Sequence, residues 1–303
     1  MPSLDRFARL WSLEPALKHH HWADPEFISR LLGMPEPRPV AEAWFGAHPD
    51  GPALARCRGG RVSALDALID AQPEAWLGSE LSDRFGTLPY LFKVLAAGRP
   101  LSIQVHPGPA EAVVGFGQEE AEGVARGDPG RVYKDARHKP ELFLALTQAH
   151  ALCGFRPYED MEARLQGLPE LRHLFPRFSH DSQGLKSALE AWFAHPSEVV
   201  STALTQLLRR LEREASEAER TVDDPARWAL FAERTLGFEA PDRGLLFVFL
   251  LEIVHMSPGE GIYLDAGVPH AYLMGSGVEV MANSDNVLRA GLTSKLVVPE
   301  PIR

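Results

Sequence analysis

Residues 99–107, Arg-Pro-Leu-Ser-Ile-Gln-Val-His-Pro, restrict the fold of this chain more than any other segment, because apolar and polar side chains alternate along them. The apolar members are Leu101, Ile103 and Val105, and the polar members are Ser102, Gln104 and His106. Successive side chains of a β-strand point to opposite sides, so the two sets lie on opposite faces. The pattern predicts a strand with one buried face and one polar face. That polar face can serve chemistry, or it can simply be hydrated.

Two later segments also carry side chains that bind metals. They are residues 138–141, His-Lys-Pro-Glu, and residues 269–272, Pro-His-Ala-Tyr. Glu141 lies 35 residues after His106, and His270 follows after a further 129. A jelly roll can bring such groups together from different strands, but no short zinc signature is present, so the spacing alone leaves structural roles open. The run of histidines at 19–21 is not expected to bind a metal, because neighbours on an extended chain alternate sides.

Length and charge exclude several classes of protein. The chain has 303 residues and a formal net charge of −10, so no basic surplus is available for nucleic-acid phosphates and no nucleic-acid partner is expected. The longest apolar run, residues 245–251, is too short to span a bilayer and is interpreted as a buried strand, so no membrane partner is expected. Cys57 and Cys153 are too few for a disulfide framework, and no signal peptide is recognised. These features predict a cytoplasmic protein.

The middle of the chain has the pattern of helices. Apolar side chains at positions 200, 204, 207, 208 and 211 recur with the spacing of one buried helical stripe, and Ser197 is placed to cap that helix. Asp224 before Pro225 predicts the start of another helix. We therefore predict a helical insert over residues 157–237.

Strand patterns lie on both sides of this insert. After residue 242, short apolar runs are separated by Gly and Pro turns, one of them predicted at residues 275–277, Gly-Ser-Gly. Short strands at close spacing favour a β-sandwich or barrel over a parallel sheet. We predict a mainly β fold in which residues 1–156 and 238–303 form one domain interrupted by the helical insert.

Several long motifs resemble those of type I phosphomannose isomerases, also called mannose-6-phosphate isomerases. The motifs are LPYLFKVL and PLSIQVHP, YKDARHKPELFLAL, LCGFRP, and GEGIYLDAGVPHAYL followed by GVEVMANSDNVLRAGLTSK. The likeness extends from near residue 40 to Lys295, with the helical insert in the expected place. It implies a cupin-type jelly roll and an enzyme that interconverts mannose 6-phosphate and fructose 6-phosphate through an enediol or enediolate.

The resemblance also implies roles for individual residues. One zinc ion would be held by Gln104, His106, Glu141 and His270. Arg289 would be catalytic, and the active site would also contain Lys139, Glu279, Tyr272 and Asp285, with Glu279 and Lys139 as candidates for acid-base work. Ser102 and Lys295 match positions associated with the phosphate of a small sugar-phosphate substrate. A non-catalytic cupin that binds a sugar phosphate or a metal is the alternative, and a metal-dependent dioxygenase is disfavoured by the glutamine ligand.

The chain departs from the family pattern in two places. The family's aromatic-x-Trp-Gly motif is represented by His20-His-Trp-Ala23, in which only Trp22 is retained. The chain also ends shortly after Lys295, where longer members continue into a further β-domain. This predicts that the segment at 296–298 leaves an apolar patch or strand edge uncovered. The expectation is a monomer or a weak homodimer.

Overall fold

The structure, a computed structural model, describes residues 11–56 and 60–297. Its strands are β1 Ser12–Glu14, β2 Ala16–Lys18, β3 Glu42–Phe45, β4 Leu54–Arg56, β5 Val62–Ala64, β6 Tyr90–Ala97, β7 Ile103–Val105, β8 Glu141–Ala145, β9 Ala149–Phe155, β10 Leu251–Met256, β11 Gly261–Leu264, β12 His270–Ala282 and β13 Leu288–Gly291. Its helices are α1 Phe27–Leu31, α2 Leu65–Ala71, α3 Pro73–Leu77, α4 Ser79–Phe85, α5 Pro109–Ala121, α6 Tyr158–Gln166, α7 Ser182–Ala194, α8 Ser197–Glu214, α9 Pro225–Leu236 and α10 Leu245–Leu250. Cys57 and Val298 lie outside the described residues. Among the helices that are described, none has the length and apolar character needed to cross a membrane.

Two antiparallel sheets share the long strand β12. One sheet has the order β2-β3-β6-β12-β8-β11, and the other has the order β10-β9-β12-β7-β13. A small separate sheet is formed by β1, β4 and β5. Two sheets that share a strand and enclose a core are the architecture of a jelly roll. The predicted mainly β, cupin-type sandwich with helices is confirmed.

Strand β12 runs through both sheets without a reversal, so the predicted turn at residues 275–277 is wrong. The ladder with β9 shifts register between Tyr272 and Met274, and Gly275 has a φ of +117°. A Cβ on Gly275 would lie 2.6 Å from the Cα of Ala149. The glycine therefore permits a β-bulge at a place where two backbones approach closely. Through this bulge the strand passes from one sheet into the other.

The inner faces of the sheets carry both apolar and charged side chains. Leu95 and Phe143 of the first sheet pack against Ala151 and Met256 of the second sheet. On β6, β8 and β12 the same inward face also carries three buried charged side chains, at Lys93, Glu141 and Glu279. Each of these lies an even number of residues from an apolar core position, as the period of a strand requires.

Helices α6 to α10 cover the outer face of the second sheet. Trp192 and Trp228 are fully buried in a core that also includes Ile103 and Leu152 of the sheet. The predicted apolar stripe of α8 is confirmed, because positions 200, 204, 207, 208 and 211 are all buried. The cap is Pro196, with Ser197 as the first helical residue. The division into domains at residues 156 and 238 stays a prediction.

The apolar run at residues 245–250 is a helix, α10, so the strand predicted there is wrong. The observed strand β10 begins only at Leu251. All six side chains of α10 are buried. An element surrounded by protein on every side is apolar all round, so its sequence has no periodicity that distinguishes a helix from a strand.

The start of α10 is joined to the end of β13 through two glycines. Asp242 Oδ1 accepts hydrogen bonds from the backbone N–H of Gly244 at 2.7 Å and of Leu292 at 2.6 Å. Gly291 has a φ of +150°, and a Cβ there would overlap the Cα of Gly244. Strand β13, which carries Arg289, is therefore fixed by a backbone contact that tolerates no side chain.

Gly291→Ala is expected to lower the free energy of unfolding by roughly 3 kcal/mol, because positive φ and steric overlap act together. Gly123→Ala is the matched control, since Gly123 has a φ of +73° but no atom within 4 Å of an added Cβ. Its expected loss is about 1 kcal/mol. Urea unfolding of the two variants measures the difference, and equal losses would contradict the role of the close contact.

Candidate active site

Three buried ligand-type side chains from three strands meet at one end of the sandwich. His106 directly follows β7, Glu141 begins β8 and His270 begins β12. The Nε2 atom of His106 lies 3.1 Å from Glu141 Oε1, and the Nε2 atom of His270 lies 3.4 Å from Glu141 Oε2. These atoms are close enough to share one metal ion. The structure therefore brings together three of the four predicted ligands.

Hydrogen bonds on the far side of each imidazole determine which nitrogen faces the carboxylate. The Nδ1 atom of His106 lies 2.8 Å from the carbonyl oxygen of Asn286, and that of His270 lies 2.9 Å from the carbonyl oxygen of Val268. A carbonyl only accepts, so each Nδ1 carries the hydrogen in the neutral ring and each Nε2 presents a lone pair. Burial, aided by Lys139, lowers the pKa of His106 to about 4, which keeps that ring neutral.

Two lone pairs and a carboxylate facing one another repel unless a cation lies between them. The Nε2 atom of His106 is buried and has no hydrogen-bond partner among the described residues. Imidazole nitrogen and carboxylate oxygen are the donor set that zinc accepts, and an outer hydrogen bond on each imidazole is the usual support of such a site. The residues present therefore fit a zinc ion.

Gln104, the fourth predicted ligand, lies in the middle of β7 and lines the same cavity. Its backbone pairs with His270 on one side and with Arg289 on the other. Ladder pairing therefore fixes the amide next to one imidazole ligand and one guanidinium. Lys139 also lies at the ligands, with its Nζ 3.2 Å from Glu141 Oε1.

A buried network of charges forms a second part of the cavity. Lys93 Nζ lies 2.8 Å from Glu42 Oε1 and 2.6 Å from Glu279 Oε2, and the Tyr272 hydroxyl donates to Glu279 Oε1 at 2.8 Å. His20 lies 3.7 Å from the other oxygen of Glu42. One ammonium thus bridges two carboxylates, and a phenol completes the partners of Glu279.

Burial and neighbouring charges shift the pKa values of the two carboxyl groups of this network in opposite directions. Burial would raise the pKa of Glu42, but Lys93 and His20 outweigh it and hold the pKa at about 2. For Glu279, burial and the nearby Glu141 carboxylate raise the pKa, and Lys93 only partly offsets them. Burial and Glu279 also raise the pKa of Tyr272. Glu279 is therefore the carboxyl group of the cavity that takes up a proton most readily.

Asp285, another predicted site residue, lies on a different wall. Its Oδ1 is 3.2 Å from His48 Nε2 and its Oδ2 is 3.6 Å from Arg126. Burial would raise the pKa of Asp285, but the hydrogen bond from His48 holds it below its ordinary value. Asp285 is thus engaged with His48 and Arg126 rather than with the ligands of the candidate zinc site.

The cavity also contains a group of cations. The predicted residues Ser102, Arg289 and Lys295 line it together with Lys134 and His21. Burial lowers the pKa of Arg289, and burial together with Arg289 and Lys134 lowers that of Lys295. Within residues 11–56 and 60–297, no carboxylate forms an ion pair with any of these cations.

Sequence reasoning missed Lys93, Glu42, His48, Lys134 and His21 as cavity residues. One signal was available for Lys93, because a lysine in the apolar run of a central strand must have a buried partner. The partner Glu42 comes from β3, 51 positions earlier in the chain, so no local pattern could identify it.

Comparisons with known proteins give a consistent result. The family described as phosphomannose isomerase type I, catalytic domain, matches residues 10–158. Mannose-6-phosphate isomerase of Escherichia coli is 37% identical over 94% of this chain and 72% of its own length, and that of Homo sapiens is 36% identical over 95% and 71%. A crystal structure of mannose 6-phosphate isomerase from Salmonella typhimurium, bound to fructose 6-phosphate and zinc, superimposes with a TM-score of 0.84 at 34% identity, covering 97% of this chain and 73% of that one.

Glu42→Gln tests the buried network through the pH dependence of stability. A carboxyl group with a native pKa of about 2 and an ordinary value of 4.5 stabilises the fold above pH 4.5 by about 3 kcal/mol, and this contribution disappears as the pH falls towards 2. The variant is therefore expected to be less stable than the wild type at neutral pH, with the difference shrinking below pH 4.5. Thermal unfolding across this range measures it. A constant difference at every pH would contradict the ion pair as the cause.

Proposed function

Because this chain belongs to the family of type I phosphomannose isomerases, we propose that it interconverts mannose 6-phosphate and fructose 6-phosphate with one zinc ion. The observation that carries the proposal is the pair of imidazole lone pairs facing Glu141, in a cavity that is also lined by Lys134, Arg289 and Lys295. A metal site and a group of cations in one cavity suit a sugar with a carbonyl at one terminus and a phosphate at the other.

The reaction moves hydrogen between two neighbouring carbons. A base removes the proton from C2 of the aldose, the electron pair forms the enediolate, and a proton returns at C1 while the hydroxyl proton passes from O2 to O1. A zinc ion held by Gln104, His106, Glu141 and His270 would stabilise the developing negative charge on oxygen. The protein residues must supply the proton transfer and hold the substrate in place.

Glu279 is the residue that we propose for the carbon proton. A general base works best when its pKa is near the working pH, and Glu279 is the cavity carboxyl group whose pKa is raised. Tyr272 and Lys93 hold its two oxygens in position. Lys139, with its ammonium beside Glu141, is suited to a neighbouring substrate oxygen. Arg289 stays charged, so its contribution is electrostatic.

The alternative is a non-catalytic cupin that binds a sugar phosphate or a metal. A binding protein needs the cations and the ligands, but it has no use for a buried carboxyl group with a raised pKa. The named activity of the relatives, which extend over most of this chain, also favours the enzyme. Turnover separates the two, because a binding protein would take up the sugar phosphate without converting it.

Removal of the metal tests the function. The zinc-loaded protein is expected to convert mannose 6-phosphate to fructose 6-phosphate. Chelation is expected to lower this activity at least about 100-fold, and added zinc is expected to restore it. A coupled assay with zinc content measured in parallel follows each step. Full activity in a preparation shown to be free of metal would contradict the proposal.

Three variants separate the proposed roles. Gln104→Ala is expected to lower zinc content, because it removes a ligand. Glu279→Gln and Arg289→Ala are expected to keep zinc bound and to lower kcat by about 10² or more, because they act on the proton and on developing charge. Metal analysis and steady-state kinetics on the same preparations give both quantities. Zinc loss in all three variants would mean that the latter two residues are structural.

Three further assignments are part of the proposal and rest on the sequence. Ser102 and Lys295 would bind the phosphate, the protein would be a monomer or a weak homodimer, and it would act in the cytoplasm. Asp285 Oδ1 lies 3.2 Å from His48 Nε2. Asp285 would therefore position His48 rather than contact the reacting carbons.

A further inference from the structure

We propose that His21 is a specificity residue that binds the phosphate dianion of the substrate and makes this binding depend on pH. The inference rests on the proposed function, because it takes the substrate to be a phosphate monoester. His21 is the position at which this chain places a second ring between His20 and the retained Trp22. It lines the same cavity as Ser102 and Lys295, and Lys295 is near enough to act on its charge.

The distribution of charge in the cavity indicates where an anion belongs. Each carboxylate that lines the cavity has a protein cation beside it: Glu42 and Glu279 have Lys93, Glu141 has Lys139, and Asp285 has Arg126. Three other cations that line the cavity, Lys134, Arg289 and Lys295, have no carboxylate in an ion pair with them within the described part of the chain. Lys295 and Arg99 lie close enough to His21 to act on its charge. A group of neighbouring cations without ion-paired carboxylates is complementary to a multiply charged anion.

The backbone holds His21 in place. The N–H of Ala23 donates to the carbonyl of His20 at 3.1 Å, which closes a tight turn around residues 21 and 22. The carbonyl of Trp22 accepts from the N–H groups of Gly98 at 2.9 Å and Arg99 at 3.2 Å. The turn is therefore attached to the end of β6, shortly before Ser102 and the strand β7, which carries Gln104.

The side chains beside the turn leave His21 available to a ligand. The ring of His20 stacks on Trp22 with centroids 5.3 Å apart and approaches Glu42, so His20 is engaged within the protein. The ring of His21 has no hydrogen bond or ion pair with another residue in the described ranges. Its substitution therefore removes no hydrogen bond or ion pair within the described residues.

The neighbours of His21 make its charge depend on the ligand. Partial burial, followed by the charges of His20, Arg99 and Lys295, lowers the pKa of His21. Without a ligand the ring is therefore mainly neutral near neutral pH. A dianion placed among these cations favours the protonated ring, so binding takes up a proton and is tightest where His21 is already protonated. The contribution of His21 to the affinity for the dianion is present at low pH and decreases as the pH rises.

Sulfate is the probe for this contribution, because it stays a dianion over the whole range, whereas a phosphate monoester titrates near pH 6. Isothermal titration of the zinc-loaded protein with sulfate, from about pH 6 to about pH 8.5, measures binding independently of turnover. His21→Ala is expected to weaken sulfate binding about tenfold at the low end and less than about twofold at the high end. His21→Lys keeps its charge throughout and is expected to bind sulfate tightly at both ends.

His19→Ala is the matched control, since His19 is two residues away, is exposed and lies 2.9 Å from the carbonyl oxygen of Pro39. It is expected to bind sulfate like the wild type at every pH. With mannose 6-phosphate, the loss in His21→Ala is expected to fall on KM rather than on kcat, and the ratio of its KM to that of the wild type is expected to decrease as the pH rises.

Three results would overturn the inference: unchanged sulfate binding in His21→Ala, equal weakening at all pH values, or a lysine variant as weak as the alanine variant. None of these depends on catalysis. A zinc-loaded wild type that binds sulfate with the expected pH dependence but never converts mannose 6-phosphate would refute the proposed function and leave the anion site standing.

Discussion

The carboxylate of Glu141 is the group on which the site depends. It is buried between two imidazole nitrogens that present lone pairs, and this arrangement is stable only with positive charge at its centre. The hydrogen bonds to the carbonyls of Asn286 and Val268 leave the two rings no alternative tautomer that would satisfy them. The fold therefore imposes a cation site before any metal is considered, and Lys139 supplies part of the charge.

Asn286 connects this centre to the loop that carries Lys134. Its carbonyl accepts from His106, its Oδ1 accepts from the backbone N–H groups of Lys134 and Asp135, and its Nδ2 donates to the carbonyls of Asp135 and Arg137. This fully buried side chain fixes the loop that carries Lys134 relative to a zinc-type ligand. The position of this loop relative to His106 is thus set by a satisfied polar network, which is rigid because each unmade bond would be costly.

Strand β12 explains how one segment serves both the core and the chemistry. His270, Tyr272 and Glu279 all lie on it, and the bulge at Gly275 transfers the strand from one sheet to the other between them. The candidate ligand His270 consequently pairs with β7 and β9, whereas Glu279 pairs with Lys93 on β6. A true turn at this place would have separated the proton-transfer candidate from the candidate metal ligands.

Local sequence determined the strand at residues 103–105, the apolar stripe of α8 and the residue types able to bind zinc, because these follow from periodicity and side-chain chemistry. Only the tertiary structure decided that residues 245–250 are helical, since a run buried on all sides has no period to read. Only the tertiary structure also paired Lys93 with Glu42 and Glu279, and brought Lys295 near His21, because these residues are far apart in the chain. The candidate ligands were implied by the resemblance to a family, whereas the charges that surround them depend on which strands become neighbours, and that is a property of the folded sheets.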